Sequence, residues 1–280
     1  MKNDQKIHGE KNEPLSQGEL DEGLLWAAGR GHAREVESLL LAGADASAKN
    51  SSALRAAAGG GHADCVKALI PFSNPLDNNS SALRRAAMAK SAECVRLLLP
   101  LSDALAEESS ALVYAAEGDS LECLQLLIPK SDPLAQNCAA MMAAARYGYL
   151  DCLKALLPVS NPRAGGSIAL KHAVISQNLG CVKLLLEACD PLAHAEACIE
   201  RAIFFGRAEI LAELLGSGAA FSSVCDLGAL ATSAADQRQP AMAAMLIAFA
   251  EKEALASTEA IRGREACAPS VPGRPSRSRL

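Results

Sequence analysis

Ten cysteines are the residues of this 280-residue chain with the most varied chemistry open to them, because thiols form disulfides, ligate metals and attack substrates as thiolates. Five recur at a fixed spacing of 29 residues, and we call them the cysteine column: Cys65, Cys94, Cys123, Cys152 and Cys181. Units stacked about 10 Å apart would hold these cysteines beyond the ~4.4–6.8 Å that the Cα atoms of a disulfide need. No C-x-x-C or H-x-x-x-H pair is present, so the spacing does not indicate a zinc site. We therefore predict that the column is buried as small apolar side chains, and that the chain holds no metal or cofactor.

Catalytic motifs give no stronger signal. The sequence has no H-E-x-x-H or G-x-S-x-G motif. The run Gly59-Gly60-Gly61-His62 lacks the preceding strand and the following Lys-Ser/Thr that a phosphate-binding loop needs. We therefore predict that the chain is not an enzyme. An activity confined to residues 224–280 is the alternative that a turnover assay would test.

The 29-residue period extends to other columns of the sequence. Alanine recurs at 53, 82, 111, 140 and 169, proline at 71, 100, 129 and 158, and Asn or Asp at 74, 103, 132, 161 and 190. A fixed period of this length predicts a solenoid, and solenoids mostly serve as binding surfaces. Half of the residues are hydrophobic but only 3% are aromatic, and the abundant alanine favours helices over strands.

Residues 80–108 show how one unit is built. Ser81 stands where a helix takes a hydroxyl N-cap, and Leu83, Ala86 and Ala87 then follow at helical spacing. A second, more apolar helix contains the column cysteine, and Pro100 ends it because the residue before proline avoids the helical region. The sequence therefore predicts a helix–turn–helix–loop unit.

This unit resembles the ankyrin repeat. In the second unit Leu54, the pair Ala57-Ala58 and the turn Gly61-His62 match the family pattern, and the first unit carries Trp26-Ala27-Ala28 and Leu39–Asp45 at matching positions. The resemblance implies an all-α ankyrin-like solenoid of about seven helix–turn–helix units plus a terminal cap. The short 29-residue copies resemble bacterial ankyrin proteins in particular.

The resemblance also divides the chain into segments. Residues 1–18 and the basic, Pro/Ser-rich residues 257–280 are predicted to be disordered. The predicted array spans 19–256, with units near 19–50, 51–79, 80–108, 109–137, 138–166, 167–195 and 196–223 and a cap at 224–256. The tail holds an exposed cysteine, Cys267.

Composition narrows the class of function. A net charge of −5 does not indicate nucleic-acid binding. No run of eighteen apolar residues predicts a membrane span, and the amino-terminal residues lack the apolar stretch of a secretory signal. We expect a cytoplasmic monomer that binds another protein. The alternative is a secreted bacterial effector whose array targets a host protein.

The predicted binding residues lie on the first helices of the units. The period is four residues short of the usual 33, and the missing residues fall mainly in the loops that form projecting fingers in ordinary ankyrins. Recognition is therefore expected on the concave face, where Arg and aromatic residues are enriched at hot spots. Arg55, Arg84 and Lys171 should add positive charge there; the other reading is that the aromatic residues only fill space between helices. The candidates are Arg85, Tyr114, Arg146, Tyr147, His172, Arg201, Phe204 and Phe205.

Overall fold

The computed structural model describes residues 15–266. These residues form helices and turns without a strand, so the predicted all-α helical repeat solenoid is confirmed. The α-helices are α1 (Gln17–Arg30), α2 (Ala33–Leu41), α3 (Ala48–Gly59), α4 (Ala63–Leu69), α5 (Asp77–Met88), α6 (Ala92–Leu98), α7 (Ala106–Glu117), α8 (Leu121–Leu127), α9 (Ala135–Tyr147), α10 (Leu150–Leu156), α11 (Ala164–Ile175), α12 (Leu179–Leu186), α13 (Ala195–Phe204), α14 (Ala208–Gly216), α15 (Leu227–Asp236) and α16 (Pro240–Ala266).

The described residues divide into two compact units, 15–165 and 166–266. In the first unit the first helix of each repeat packs on the first helix of the next, so that α1, α3, α5, α7 and α9 form one row. The second helices α2, α4, α6, α8 and α10 form a parallel row in the same way. In the second unit α14 packs against α12, α13 and α16, and α15 packs against α13 and α16.

The cysteine column belongs to the second helices and lies in the core. All five column cysteines are 0% exposed, which confirms the predicted burial. No disulfide is present among the cysteines of residues 15–266. In α6 and α8 the cysteine is the third residue of the helix, and its N–H donates to the hydroxyl of Ser91 or Ser120, which is the N-cap. Helix capping therefore helps to fix the cysteine in these two repeats, in addition to packing.

In the first unit, the second to fourth residues of α3, α5, α7 and α9 form a short left-handed turn. Residues 49–51, 78–80, 107–109 and 136–138 have φ between 48° and 64°, and none of them is glycine. Such a conformation costs roughly 1–2 kcal/mol per residue. The buried hydroxyls of Ser80 and Ser109 offset part of this cost, because each accepts a hydrogen bond at 2.8 Å from the backbone N–H of Asp103 or Asp132 in the next turn. Each turn is thereby tied to its neighbour.

The structure tests the two predictions made for the ends of the helices in residues 80–108. Ser81 is not a hydroxyl N-cap, since no side-chain cap bond exists at this helix and the hydrogen-bonded hydroxyl belongs to Ser80. The α-helix does end next to Pro100 as predicted, since α6 stops at Leu98 and a 3-10 turn, Leu99–Leu101, follows. The predicted reason is wrong, because Leu99 keeps the right-handed helical conformation.

The two ends of the array differ from the predicted boundaries. Helix α1 begins at Gln17 with a capping box between Ser16 and Glu19, so the predicted boundary at residue 18 lies inside a helix. Helix α16 continues to Ala266, and the disorder predicted from residue 257 is therefore wrong for residues 257–266. The predictions for residues 1–14, residues 267–280 and Cys267 lie outside the described residues.

Candidate partner-binding surface

The exposed side of the first helices follows from their 3.6-residue period. In α5 the buried residues Leu83, Ala86 and Ala87 face the core, while Arg85 and Met88 are exposed on the other side. In the first unit, the positions equivalent to Arg85 and to Met88 in each repeat form two columns. The front column is Trp26, Ala56, Arg85, Tyr114 and Ala143, and the rear column is Gly29, Gly59, Met88, Glu117 and Arg146. We call both columns together the first-helix face.

Arg85 and Tyr114 come together on this face. With Ser81, Arg84 and Met88 they line an open depression of about 210 Å³ between α5 and α7. Arg85 is exposed, Tyr114 is half-buried and Met88 is 57% exposed. The depression therefore combines an arginine, a phenol and a thioether, which suits a partner side chain that is partly apolar and partly anionic.

Arg146 and Tyr147 form a second cluster, at the end of α9. The Arg146 guanidinium carbon lies 5.9 Å from the centre of the Tyr147 ring. The Tyr147 ring also stacks on that of Tyr149, with centroids 5.8 Å apart. Because these contacts hold the 49%-exposed Tyr147 in one orientation, a partner would lose little side-chain entropy on packing against it.

Two arginines that were expected to add free charge have a structural role instead. A guanidinium nitrogen of Arg55 donates to the carbonyl of Lys49 at 2.9 Å, and one of Arg84 donates to that of Asn78 at the same distance. Both carbonyls belong to left-handed turns, and Arg84 also pairs with the carboxylate of Glu107. These arginines therefore stabilise the turns, and Arg85 is the arginine of α5 that is available to a partner.

Trp26 is a candidate that the sequence prediction missed. It holds the front-column position in α1, is 41% exposed and meets the His32 ring edge-on at 5.1 Å. The Arg30 guanidinium lies 5.2 Å from the Trp26 ring centre. The sequence could have revealed it, because aligning Trp26-Ala27-Ala28 with Arg85-Ala86-Ala87 places Trp26 at the position of the exposed Arg85.

The second unit holds the other four predicted residues. Phe204 is 64% exposed, and its ring meets that of Phe205 edge-on with centroids 5.1 Å apart. Arg201 lies one turn earlier on α13 and is exposed, while His172 on α11 is half-buried. Arg201 and Phe204 thus form an exposed cationic and aromatic surface on α13.

The cysteines whose pKa is shifted are unsuited to act as nucleophiles. Burial raises the pKa of the Cys65, Cys94 and Cys123 thiols. Burial, with a hydrogen bond from Sγ to the Asp119 carboxylate at 3.5 Å, raises the pKa of Cys152 to about 12. These cysteines are therefore protonated at neutral pH, whereas a reactive cysteine needs a lowered pKa.

Metal-binding and membrane-spanning features are absent from residues 15–266. No group of three or more His, Cys, Asp and Glu side chains is arranged to hold a metal ion there. Within the same residues, no helix combines the length and the apolar character that crossing a bilayer requires.

Comparison with known proteins gives the family. The family described as "Ankyrin repeats (3 copies)" matches residues 24–107 and 112–195, which together exceed half of the chain. The chain therefore belongs to the ankyrin-repeat family, as its repeat pattern predicted, and such arrays are protein-interaction modules. Its fold is similar to the crystal structure of the human ASB11 ankyrin repeat domain, with a TM-score of 0.54 and 23% identity over 64% of this chain and 96% of that chain. The comparison with curated proteins gives no match.

Proposed function

We propose that this chain is a non-enzymatic scaffold that recognises a partner protein through the exposed side of its first helices. The observation that supports this most strongly is that the residue in the front column differs from repeat to repeat. A repeat that keeps its core nearly constant carries Trp26, Ala56, Arg85 and Tyr114 at one position of the first four repeats. Trp26 and Arg85 are exposed there, and Tyr114 is half-buried.

The chemistry of these residues supports binding. Tyr, Trp and Arg are the residues most enriched at interface hot spots. Tyr and Trp bury large areas at low entropic cost, and Arg adds a planar charged group that pairs with carboxylates. The depression beside Tyr114 would take an anchoring side chain, and the rigid pair Arg146–Tyr147 would supply a second contact. Arg201, Phe204, Phe205 and His172 extend the proposal to the second unit.

The test is affinity capture from a lysate of the source cells, with the full chain as bait. The captured protein is then titrated against the double variant Tyr114→Ala/Tyr147→Ala. We expect binding to weaken by about 2 kcal/mol, roughly 30-fold, while the urea midpoint changes little. High salt should slow association, because Arg85 and Arg146 would steer an acidic partner.

A matched control is available on the second helices of the same repeats. Gln125 on α8 and Lys154 on α10 are exposed, so Gln125→Ala/Lys154→Ala removes a similar amount of surface and should leave binding unchanged. Equal loss in both double variants, or unfolding of the tyrosine variant, would show that the first helices are not the recognition surface.

A further inference from the structure

A row of exposed leucines lies beside the left-handed turns, in the short loops that stand where ordinary ankyrin repeats have fingers. Leu76, Leu105 and Leu134 occupy the same position in three successive repeats and are 54%, 56% and 55% exposed. We call them the leucine row. Phe72 and Leu101, four residues before the first two, are 60% and 45% exposed. Repeated exposure of large apolar side chains costs solvation free energy and marks an interaction surface more often than a scattered single leucine does.

The backbone of the row is held rigidly. Each leucine lies two residues before a left-handed turn, and its N–H donates to the side-chain oxygen of the Asn or Asp two residues earlier. The distances are 3.1 Å for Leu76, 2.9 Å for Leu105 and 2.9 Å for Leu134. A partner would therefore meet a preorganised surface, which lowers the entropic cost of association.

The surroundings of the row are acidic. The turn segments 74–79, 101–108 and 130–137 contain one basic residue, Lys130, and five carboxylates: Asp77, Asp103, Glu107, Glu108 and Asp132. Glu107 is paired with Arg84, whereas the exposed Glu108 has no ion pair in the described part of the chain. This rim favours a cationic occupant.

The spacing of the row fits a helix. Neighbouring repeats are stacked at a helix-to-helix distance of about 8–10 Å, and residues seven apart on an α-helix are about 10.5 Å apart along its axis. A helix laid along the row would present one apolar side chain to each leucine if its apolar residues recur about every seven positions.

We propose that the leucine row and its acidic rim form a second docking surface, whose occupant is a basic amphipathic helix of a partner protein. This surface is separate from the first-helix face.

The experiment uses the full chain and three synthetic helical peptides. Each has about 22 residues, which at 1.5 Å per residue is long enough to pass three leucines. The first has leucine at every seventh position flanked by lysine, the second replaces lysine by glutamate, and the third replaces leucine by serine. Fluorescence anisotropy should show binding of the first peptide, and at least about tenfold weaker binding of the other two.

Protein variants locate the site. Leu105→Ser/Leu134→Ser and Glu108→Lys should each weaken binding of the first peptide, the leucine pair by at least about tenfold. Leu41→Ser, at a residue that is 90% exposed, and Glu37→Lys, at an exposed residue of α2, are matched controls that should have no effect. Circular dichroism and urea midpoints check that every variant is folded.

Four results would overturn the proposal. The first is absence of binding by the lysine peptide. The second is a failure of a control: the lysine and glutamate peptides bind equally, or Leu41→Ser weakens peptide binding as much as Leu105→Ser/Leu134→Ser does. The third is a dimer of the full chain that Leu105→Ser/Leu134→Ser dissociates, which would make a second copy the occupant. The fourth is peptide binding that appears only after removal of residues 267–280, which would make the tail the occupant. Binding that survives Tyr114→Ala/Tyr147→Ala would separate this surface from the first-helix face.

Discussion

The cysteine column and the front column share four repeats but follow opposite rules. One places the same residue at five successive positions, all 0% exposed. The other changes from tryptophan through alanine and arginine to tyrosine, on the solvent side of the first helices. In five repeats this position is enclosed by the two rows of helices, so packing restricts it to a buried side chain of limited size. Exposed positions carry no such restriction, and their variation is where a binding specificity can be encoded.

The largest effect should come from a charge placed in the buried column. Cys123→Asp would bury a carboxyl without a partner among Leu124, Leu127 and their neighbours, and we expect a loss of about 3–5 kcal/mol of unfolding free energy. Urea unfolding followed by circular dichroism measures it. Gln125→Asp, on the exposed side of the same helix, is the control and should lie within about 0.5 kcal/mol of the parent. Equal midpoints for the two variants would contradict the packing role of the column.

The hydroxyls of the left-handed turns should come next in size. Ser109→Ala removes the acceptor that holds the Asp132 N–H, and leaving that backbone group unsatisfied should cost about 1–3 kcal/mol. Ser110→Ala is the adjacent control, because Ser110 makes only a 3.5 Å contact to a carbonyl within its own helix. If Ser110→Ala destabilised as much as Ser109→Ala, the bond between turns would not be what holds them.

Alkaline pH should weaken the column gradually. The pKa of Cys152 is raised by burial to about 12, whereas an unfolded cysteine has a pKa of about 8.5. Stability from this raised pKa is complete below about pH 8.5 and is lost as the pH rises towards 12, because only the unfolded thiol ionises easily. Unfolding free energies measured across this range should fall, and Cys152→Ala should make the fall shallower. A flat profile for the parent protein would contradict the burial of the thiols.

The smallest effect should be a gain in stability. Glu108 has a φ of 55°, so Glu108→Gly relieves left-handed strain and should stabilise the protein by about 0.5–1 kcal/mol after the entropic cost of glycine. Glu117→Gly, at the right-handed end of α7, should destabilise by a similar amount. Thermal unfolding of both variants checks the opposite signs, and the same sign in both would argue against the left-handed turn.

The repeat pattern predicted the helix pairs and the buried cysteines because a 29-residue period forces equivalent residues into equivalent environments. It did not predict the left-handed turns, since sequences as different as Asn78-Asn79-Ser80 and Glu107-Glu108-Ser109 adopt them and neither contains glycine. The role of Arg84 depended on these turns and was therefore missed as well. Exposure of Arg85, Tyr147 and Phe204 could be predicted from helical periodicity, but their contacts with neighbours could not. The cytoplasmic location, the monomeric state and the alternative of secretion stay predictions.

Hydrogen exchange of the array with and without its captured partner tests the central claim most directly, because it reports every helix of the chain at once. The account predicts that the partner adds protection to the first helices, with α5, α7 and α9 foremost in the first unit. It predicts little change in α4, α6, α8 and α10, whose cysteine positions are already buried. Added protection confined to the second helices, with α5, α7 and α9 unchanged, would contradict it.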